Sequence, residues 1–337
     1  MSDLERAPEA VTCQAGDPCD GVVFLEPRDV PLGGLRSMDV RRTLPQRERS
    51  LIGAWCFLDH YGPDHVAATG GMNVARHPHT GLATVSWLFS GAVEHIDSAG
   101  HQATVRPGEL NLMTAGRGIS HSEFSTPETD LLHGAQLWLA LPDAARGKEP
   151  DFEHYAPEPV AGEGAELRVF LGSLGGSMSP VVTDHPTLGA EILLEPGAEI
   201  VLDLDPSFEH GLLLDDGDLS LDDETLPRDH LAYLPTGRDA VVLSAGEKRV
   251  RALIIGGEPF PEKIVMWWNF VGRAHEEIVA HRAAWQAEID ADPAPAPNGG
   301  EYDDGAPYPR FGTFPEGTPA PLPAPAMPHA RLRAREQ

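Results

Sequence analysis

Short apolar runs, each closed by turn residues, dominate the chain from about residue 22 onward. "RSMDVRRTL" alternates and puts Met38, Val40 and Arg42 on one side of an extended strand. "GAWCFLDHYGP" is a dense apolar run that ends in turn residues. "ATVSWLFSGAVEHIDSAGHQATVRPGELNLMTAG" reads as an antiparallel meander, with turns at Ser90-Gly91 and Ala99-Gly100. "LLHGAQLWLALP" is another strand, stopped by Pro142. After a proline-marked linker a second strand-rich block begins, carried by "AEILLEPGAEIVLDLDP", "HGLLLDDGDLSLDDETLP", "HLAYLPTG" and "RVRALIIGG". The two blocks look like weak repeats of one design, and their spacing predicts sandwiches or barrels. "KIVMWWNFVG" adds a last strand. "RAHEEIVAHRAAWQAEID" reads as a helix whose narrow apolar side carries Ile278, Arg282, Trp285 and Ile289. The expected organisation is an N-terminal arm over residues 1–21, a first domain over 22–142, a linker over 143–166, a second domain over 167–290 and a Pro/Ala-rich tail over 291–337.

Composition narrows the function classes. The chain has 337 residues, 41% of them apolar, which is enough for two cored domains. Its 35 glycines and 32 prolines fit many turns better than long helices. Against 25 basic residues stand 52 acidic ones, a net charge of −27, so direct contact with a phosphate backbone is not expected. No run of 18 apolar residues offers a membrane span. Cys13, Cys19 and Cys56 are odd in number, follow no signal peptide and include no CxxC pair. They predict reduced thiols in a cytoplasmic protein. Between Glu199 and Asp229 lie eleven acidic residues and only Arg228 as a base, a stretch expected to form a solvated outer face. The tail ends in the weakly basic "HARLRAREQ", which could lie on the acidic body.

Candidate chemistry centres on "ARHPHTG". In a strand, His77 and His79 point to one side and Pro78 to the other, where its missing N–H demands a strand end or an edge. Ala83, Val85, Trp87 and Phe89 share the odd register, so the histidines are expected to face the same interior as that apolar row. A second i,i+2 pair, His121-x-Glu123 in "SHSE", follows a Gly-rich bend. The two pairs would supply three imidazoles and one carboxylate, a donor set that suits Fe(II), Ni, Mn, Cu or Zn. With 15 histidines in the chain, either pair alone could arise by chance, and the weight rests on both together. "HEEIVAH" is not a zincin motif, because His275 and His281 are six apart and fall on different helix faces. His133 is expected in the core or behind a ligand. His60, His95 and His101 sit beside turns and are expected to be exposed. Trp87 and Phe89 are expected to pack in the core, with a pocket-lining role as the alternative.

The spacing Gly71-x5-His77-x-His79-x4-Thr84-x6-Gly91 resembles the first motif of the cupin superfamily, except that Thr84 stands where a glutamate ligand is usual. "RTLPQRERSLIGAWCFLDHYGP", "HPHTGLATVSWLFSGAVEHIDSAG", "RPGELNLMTAGRGISHSE" and "GAQLWLALP" together resemble the pirin family, over roughly residues 22 to 290. That resemblance implies an all-β bicupin: two jelly-roll-like barrels side by side, followed here by the helix and tail. It implies one divalent metal in the first barrel, Fe(II) foremost, held by His77, His79, His121 and Glu123. The second barrel agrees in lacking a pair, since His210 precedes Gly211 and His230 has Ala232 two positions on. Some bacterial pirins resemble quercetin 2,3-dioxygenases, which open a flavonol ring with dioxygen and release carbon monoxide. In that chemistry Glu123 would also take the flavonol hydroxyl proton. The implied partners are a phenolic or enolic small molecule and dioxygen. The alternative is a redox-sensitive regulator acting through protein contacts. A bicupin buries its own inter-barrel surface, so a monomer is expected.

Overall fold

The computed structural model describes residues 11–13, 21–32, 38–289, 302 and 304–332. Most of the expected N-terminal arm, including Cys19, lies outside the described residues, as do 290–301, 303 and 333–337 of the tail.

Two antiparallel barrels share one topology. In the first, a seven-stranded sheet runs in the order Asp151–Tyr155, Leu110–Thr114, Leu82–Ser90, Leu131–Ala140, Trp55–His65, Met38–Leu44, Arg28–Leu32. It faces a four-stranded sheet ordered Asn73–His79, Ile119–Ser125, Val93–Asp97, Gln102–Val105. The second barrel repeats this with a seven-stranded sheet and the four strands Glu199–Asp203, Ala240–Ala245, Leu219–Leu221 and Glu224–Leu226. The weak sequence repeat is therefore a repeat of strand order. Met38, Val40 and Arg42 are all buried, as their alternation predicts.

The barrels are stitched together at their ends. Val23–Leu25 pairs with Leu231–Leu234 of the second barrel. The stretch 143–166, expected as a linker, supplies Asp151–Tyr155 to the first large sheet and Val160–Gly162 to the second. Val11–Cys13, expected within the loose arm, pairs with Ile264–Trp267. In each case an open sheet edge offers unpaired backbone groups, and a passing segment satisfies them.

The largest apolar core lies between the barrels rather than inside either one. Trp87 stacks on Phe170 at 4.5 Å, and the Trp55 indole N–H donates to the Leu188 carbonyl at 3.0 Å. This corrects the expected facing of the row Ala83, Val85 and Trp87, which looks toward the second barrel. Gly81, at φ +69°, breaks the chain between Asn73–His79 and Leu82–Ser90, so parity does not carry across. A Cβ at Gly81 would stand 2.4 Å from the Val271 carbonyl oxygen.

A polar seam borders this core. Glu209 is buried against Arg49, the Gly53 N–H and the Tyr233 hydroxyl. Asp215, also buried, lies 2.8 Å from His60 Nε2 and 2.6 Å from His133 Nε2. The acidic stretch 199–229 is thus not wholly a solvated face, because two of its carboxylates serve the inter-barrel contact. His60 is likewise buried, not exposed: Trp55–His65 lies within the large sheet, and the even-numbered His60 faces the second barrel.

Beyond the second barrel, Ile264–Trp267 and Phe270–Gly272 form a hairpin, and the helix spans His275–Ile289. Trp285 and Phe311 pack edge to face at 5.4 Å in a cluster that also holds Trp267, Ala324 and Leu332. The last described stretch of the tail meets the start of the helix through Arg331 and Glu276 at 2.6 Å. No helix among the described residues is long and apolar enough to cross a membrane.

Candidate metal centre

Asn73–His79 and Ile119–Ser125 are neighbours, with His77 directly opposite His121 and Ile119 opposite His79. Directly paired residues project to the same face of a sheet. His77, His79 and His121 accordingly converge: one nitrogen from each lies within 4.8 Å of the others, and all three are buried. His79 Nε2 and His121 Nε2 stand 3.1 Å apart.

The outer nitrogens are engaged. His77 Nδ1 lies 2.9 Å from the Ala75 carbonyl oxygen and His79 Nδ1 lies 3.3 Å from that of Asn269. A carbonyl can only accept, so each Nδ1 carries the proton and each Nε2 is left as a lone-pair donor. His77 Nε2 is buried with no hydrogen-bond partner. Burial pushes the His77 imidazole down to about 3 and holds His79 and His121 well below their usual range, so all three are neutral. Three convergent neutral imidazoles, two of them with their inward lone pairs fixed by these carbonyls, form a donor set for a transition metal.

Glu123 is two residues on, buried, with Oε2 unpartnered. It lies outside the tight three-nitrogen group, and a bulge separates it from His121 in the pairing with Asn73–His79. Burial, and then the nearby Glu123 charge, push the Tyr61 phenol upward, so the hydroxyl stays protonated.

His95 is buried beside this group, not exposed as its position near a turn suggested. It pairs directly with Glu123 across the strands, and its Nδ1 lies 3.3 Å from His121 Nδ1. Behind it stands Asp97, 3.4 Å from His95 Nε2 and 3.0 Å from Nδ1 of the partly exposed His101. The sequence holds a signal for this, since His95-x-Asp97 has the same two-residue spacing as the other pairs. Nothing in the sequence points to the Asn269 carbonyl, which arrives from 190 residues away.

The inner wall of the first barrel is polar. Thr84 and Ser86 face it, opposite Trp138 and Gln136, with Asn111 on the far side of Ser86. Trp138 meets His79 edge to face at 5.2 Å. The side-chain N–H groups of Trp138, Gln136 and Asn111 include buried nitrogens with no acceptor: Nε1, Nε2 and Nδ2 respectively. Arg42 and Asp59 close the wall with paired contacts of 2.7 and 2.9 Å.

The other buried trio, His60, His133 and Asp215, reads differently. Its nitrogen-to-oxygen separations are already those of hydrogen bonds. Arg251 Nη1 lies 3.3 Å from Asp215 Oδ2, and Asp229 lies 3.2 Å from the other His60 nitrogen. The Arg251 cation and the His60–Asp215 hydrogen bond thus serve this trio, while His133 Nε2 has only the close Asp215 oxygen beside it. His133 thus sits in the inter-barrel core, consistent with its expected packing role. In the second barrel, the small-sheet strands that match the histidine strands carry Ile200, Leu202, Val241 and Leu243, all buried. Aliphatic side chains occupy the inner face there.

Two barrels of one topology, with a three-histidine cluster inside the first, define a bicupin with a candidate metal centre. Residues 37–139 match the Pirin family model, and residues 189–289 match the Pirin C-terminal cupin domain. The chain belongs to the pirin family. It is 42% identical over 260 residues to a Pseudomonas aeruginosa protein named "Putative quercetin 2,3-dioxygenase", covering 77% of this chain and 82% of that one. It is 33% identical over 264 residues to a "Pirin-like protein" of Caulobacter vibrioides, covering 75% and 90%. A crystal structure of quercetin 2,3-dioxygenase from Acinetobacter baumannii superposes with a TM-score of 0.81 at 35% identity, over 93% of this chain and 98% of that one.

Proposed function

We propose that this bicupin is a metal-dependent dioxygenase that opens the heterocycle of a flavonol such as quercetin, or of a related phenolic or enolic compound. The reading rests on one observation above the rest. Three buried neutral imidazoles each bring one nitrogen within 4.8 Å of the others, and Glu123, two residues from His121 on the same strand, keeps a buried carboxylate oxygen with no partner. His77, His79, His121 and Glu123 would hold one divalent metal, with Fe(II) first among the candidates. When bound, the metal would supply a Lewis-acid site where an acidified hydroxyl and dioxygen meet.

The chain's own groups would do the rest. The Glu123 carboxylate would accept the proton of the substrate hydroxyl, which needs a base within hydrogen-bond reach. The uncommitted N–H groups of Gln136, Trp138 and Asn111 would receive substrate oxygens and fix the ring's orientation. Tyr61, kept as a phenol, can donate but not compete as a base. The buried setting would keep water from the activated ring. The names of the relatives support the same substrate class.

Protein reconstituted in turn with Fe(II), Ni, Mn, Cu and Zn, then mixed with quercetin under air, tests this. Loss of the flavonol absorbance band with one carbon monoxide evolved per turnover is expected with at least one metal. No turnover with any of them would sink the assignment.

A further inference from the structure

The second barrel contains a buried polar group that nothing in the metal site uses. His210 is the second residue of the strand Glu209–Asp216 and is fully buried, and neither of its ring nitrogens has a hydrogen-bond partner. An imidazole always carries at least one N–H, so this burial leaves a donor unmet. The ring is also well seated. It packs on Gly256, where a Cβ would stand 2.9 Å from its Cδ2.

His210 is among the residues lining a cavity of about 720 Å³. That volume lies within the range of small-molecule sites, roughly 300–1,000 Å³. The cavity lies beneath the two-stranded hairpin Ser173–Leu174 and Ser177–Met178, against the turn that carries Asp205 and Phe208. Leu174, Leu188, Leu204 and Phe208 give it apolar walls. Met178 and Val182 stand on it 76% and 80% exposed, unusual for apolar side chains of their size.

Several of the neighbouring polar groups are already committed. Ser179 donates to the Phe170 carbonyl, and Thr183 and Thr187 both donate to that of His185. Asp205 accepts from the Ser207 hydroxyl and N–H. The lining includes two aspartates, Asp203 and Asp205, and no lysine or arginine, so it disfavours an anion.

We infer that this cavity binds an uncharged aromatic molecule bearing a hydroxyl group, with the ring against Phe208 and the hydroxyl on His210. A phenolic hydroxyl both donates and accepts, and a neutral imidazole offers one of each. Burial pushes His210 down to about 4, which keeps the ring neutral at physiological pH. This site is separate from the first barrel and does not depend on the catalytic reading.

Naphthol, an uncharged fluorescent phenol, is the probe, with naphthalene and naphthoate as comparisons. Full-length metal-loaded protein should bind naphthol saturably, and naphthalene and naphthoate at least tenfold more weakly. A His77→Ala/His79→Ala variant, with the first-barrel site removed, should keep that affinity. His210→Leu should melt no lower than the parent, since it removes an unmet donor, and should bind naphthol at least tenfold more weakly. In histidine-labelled parent protein, the His210 ring signal should shift on saturation, a readout that needs no folded variant. Absence of saturable binding, an unmoved His210 signal, or binding kept in His210→Leu but lost in the His77/His79 variant would each overturn the inference.

Discussion

His121 shows how one residue depends on others that the motif does not name. Its inward nitrogen is useful only if the ring is held, and His95 holds it from behind at 3.3 Å. Groups that orient a ligating histidine are typically worth about 10–100-fold in metal affinity. His95→Ala should therefore weaken metal binding by about that factor in a competition titration with a chelating dye, while the thermal melt stays cooperative. Unchanged affinity would remove His95 from the site. Burial sets the pH response of the fold as well. His281, buried against Thr80, is pushed down to about 3, and His210 to about 4. In the unfolded chain both would titrate near their usual value, about 6.5. Between those limits the unfolded state binds more protons, so stability falls as pH falls. Urea midpoints of metal-free protein should decline steadily below about pH 6.5. A flat profile down to about pH 4 would show that these rings are not held neutral.

Strands, not single residues, decide which parts of the sequence meet. The two histidine strands are neighbours in a small sheet whose equivalent in the second barrel carries aliphatic residues instead. One element therefore has a donor-lined inner face in one barrel and an apolar face in the other. The seam between the large sheets rests on a different element pair, with Glu209–Asp216 placing Asp215 against His60 and His133. Those histidines hold the Asp215 carboxyl well below the usual range, despite the opposing effect of burial. Asp215→Ala would remove the buried carboxylate that His60, His133 and Arg251 share at this seam. Breaking a buried pair from one side costs about 3–5 kcal/mol. A fall in melting temperature is expected, together with proteolytic cleavage between the barrels. A variant as stable as the parent would show that the apolar core alone joins them.

At the scale of the whole molecule, the C-terminal segment returns to the first barrel. The Ser120 hydroxyl donates to the Phe311 carbonyl at 2.7 Å, Arg76 donates to that of Gly312 at 2.7 Å, and the Leu322 N–H donates to the Arg76 carbonyl at 2.8 Å. Arg76 and Ser120 are each next to a histidine of the candidate metal centre in the chain, so the tail backs the strands that carry that cluster. Deleting residues 302–337 should lower the melting temperature and weaken metal affinity together. Loss of one without the other would separate a structural strap from a site support. The charge of −27 acts over the same scale: like charges repel in the compact state, and salt screens that repulsion.

The sequence by itself determined the strands, their grouping into two similar blocks and the two i,i+2 pairs around His77 and His121. These are local properties, since alternation and spacing are fixed by the geometry of an extended chain. It misled where facing depends on a break in that geometry. The apolar row from Ala83 to Trp87 turns outward to the second barrel because Gly81 resets the parity. It also placed His60, His95, Glu209 and Asp215 near solvent, because proximity to a turn or a run of acids says nothing about what packs above. Only the tertiary structure decided that the main core lies between the barrels, that Asn269 orients His79 and that His210 stands at a cavity wall without a partner. Each of those joins residues far apart in the chain, and such contacts are set by how the sheets stack, not by any pattern within one strand.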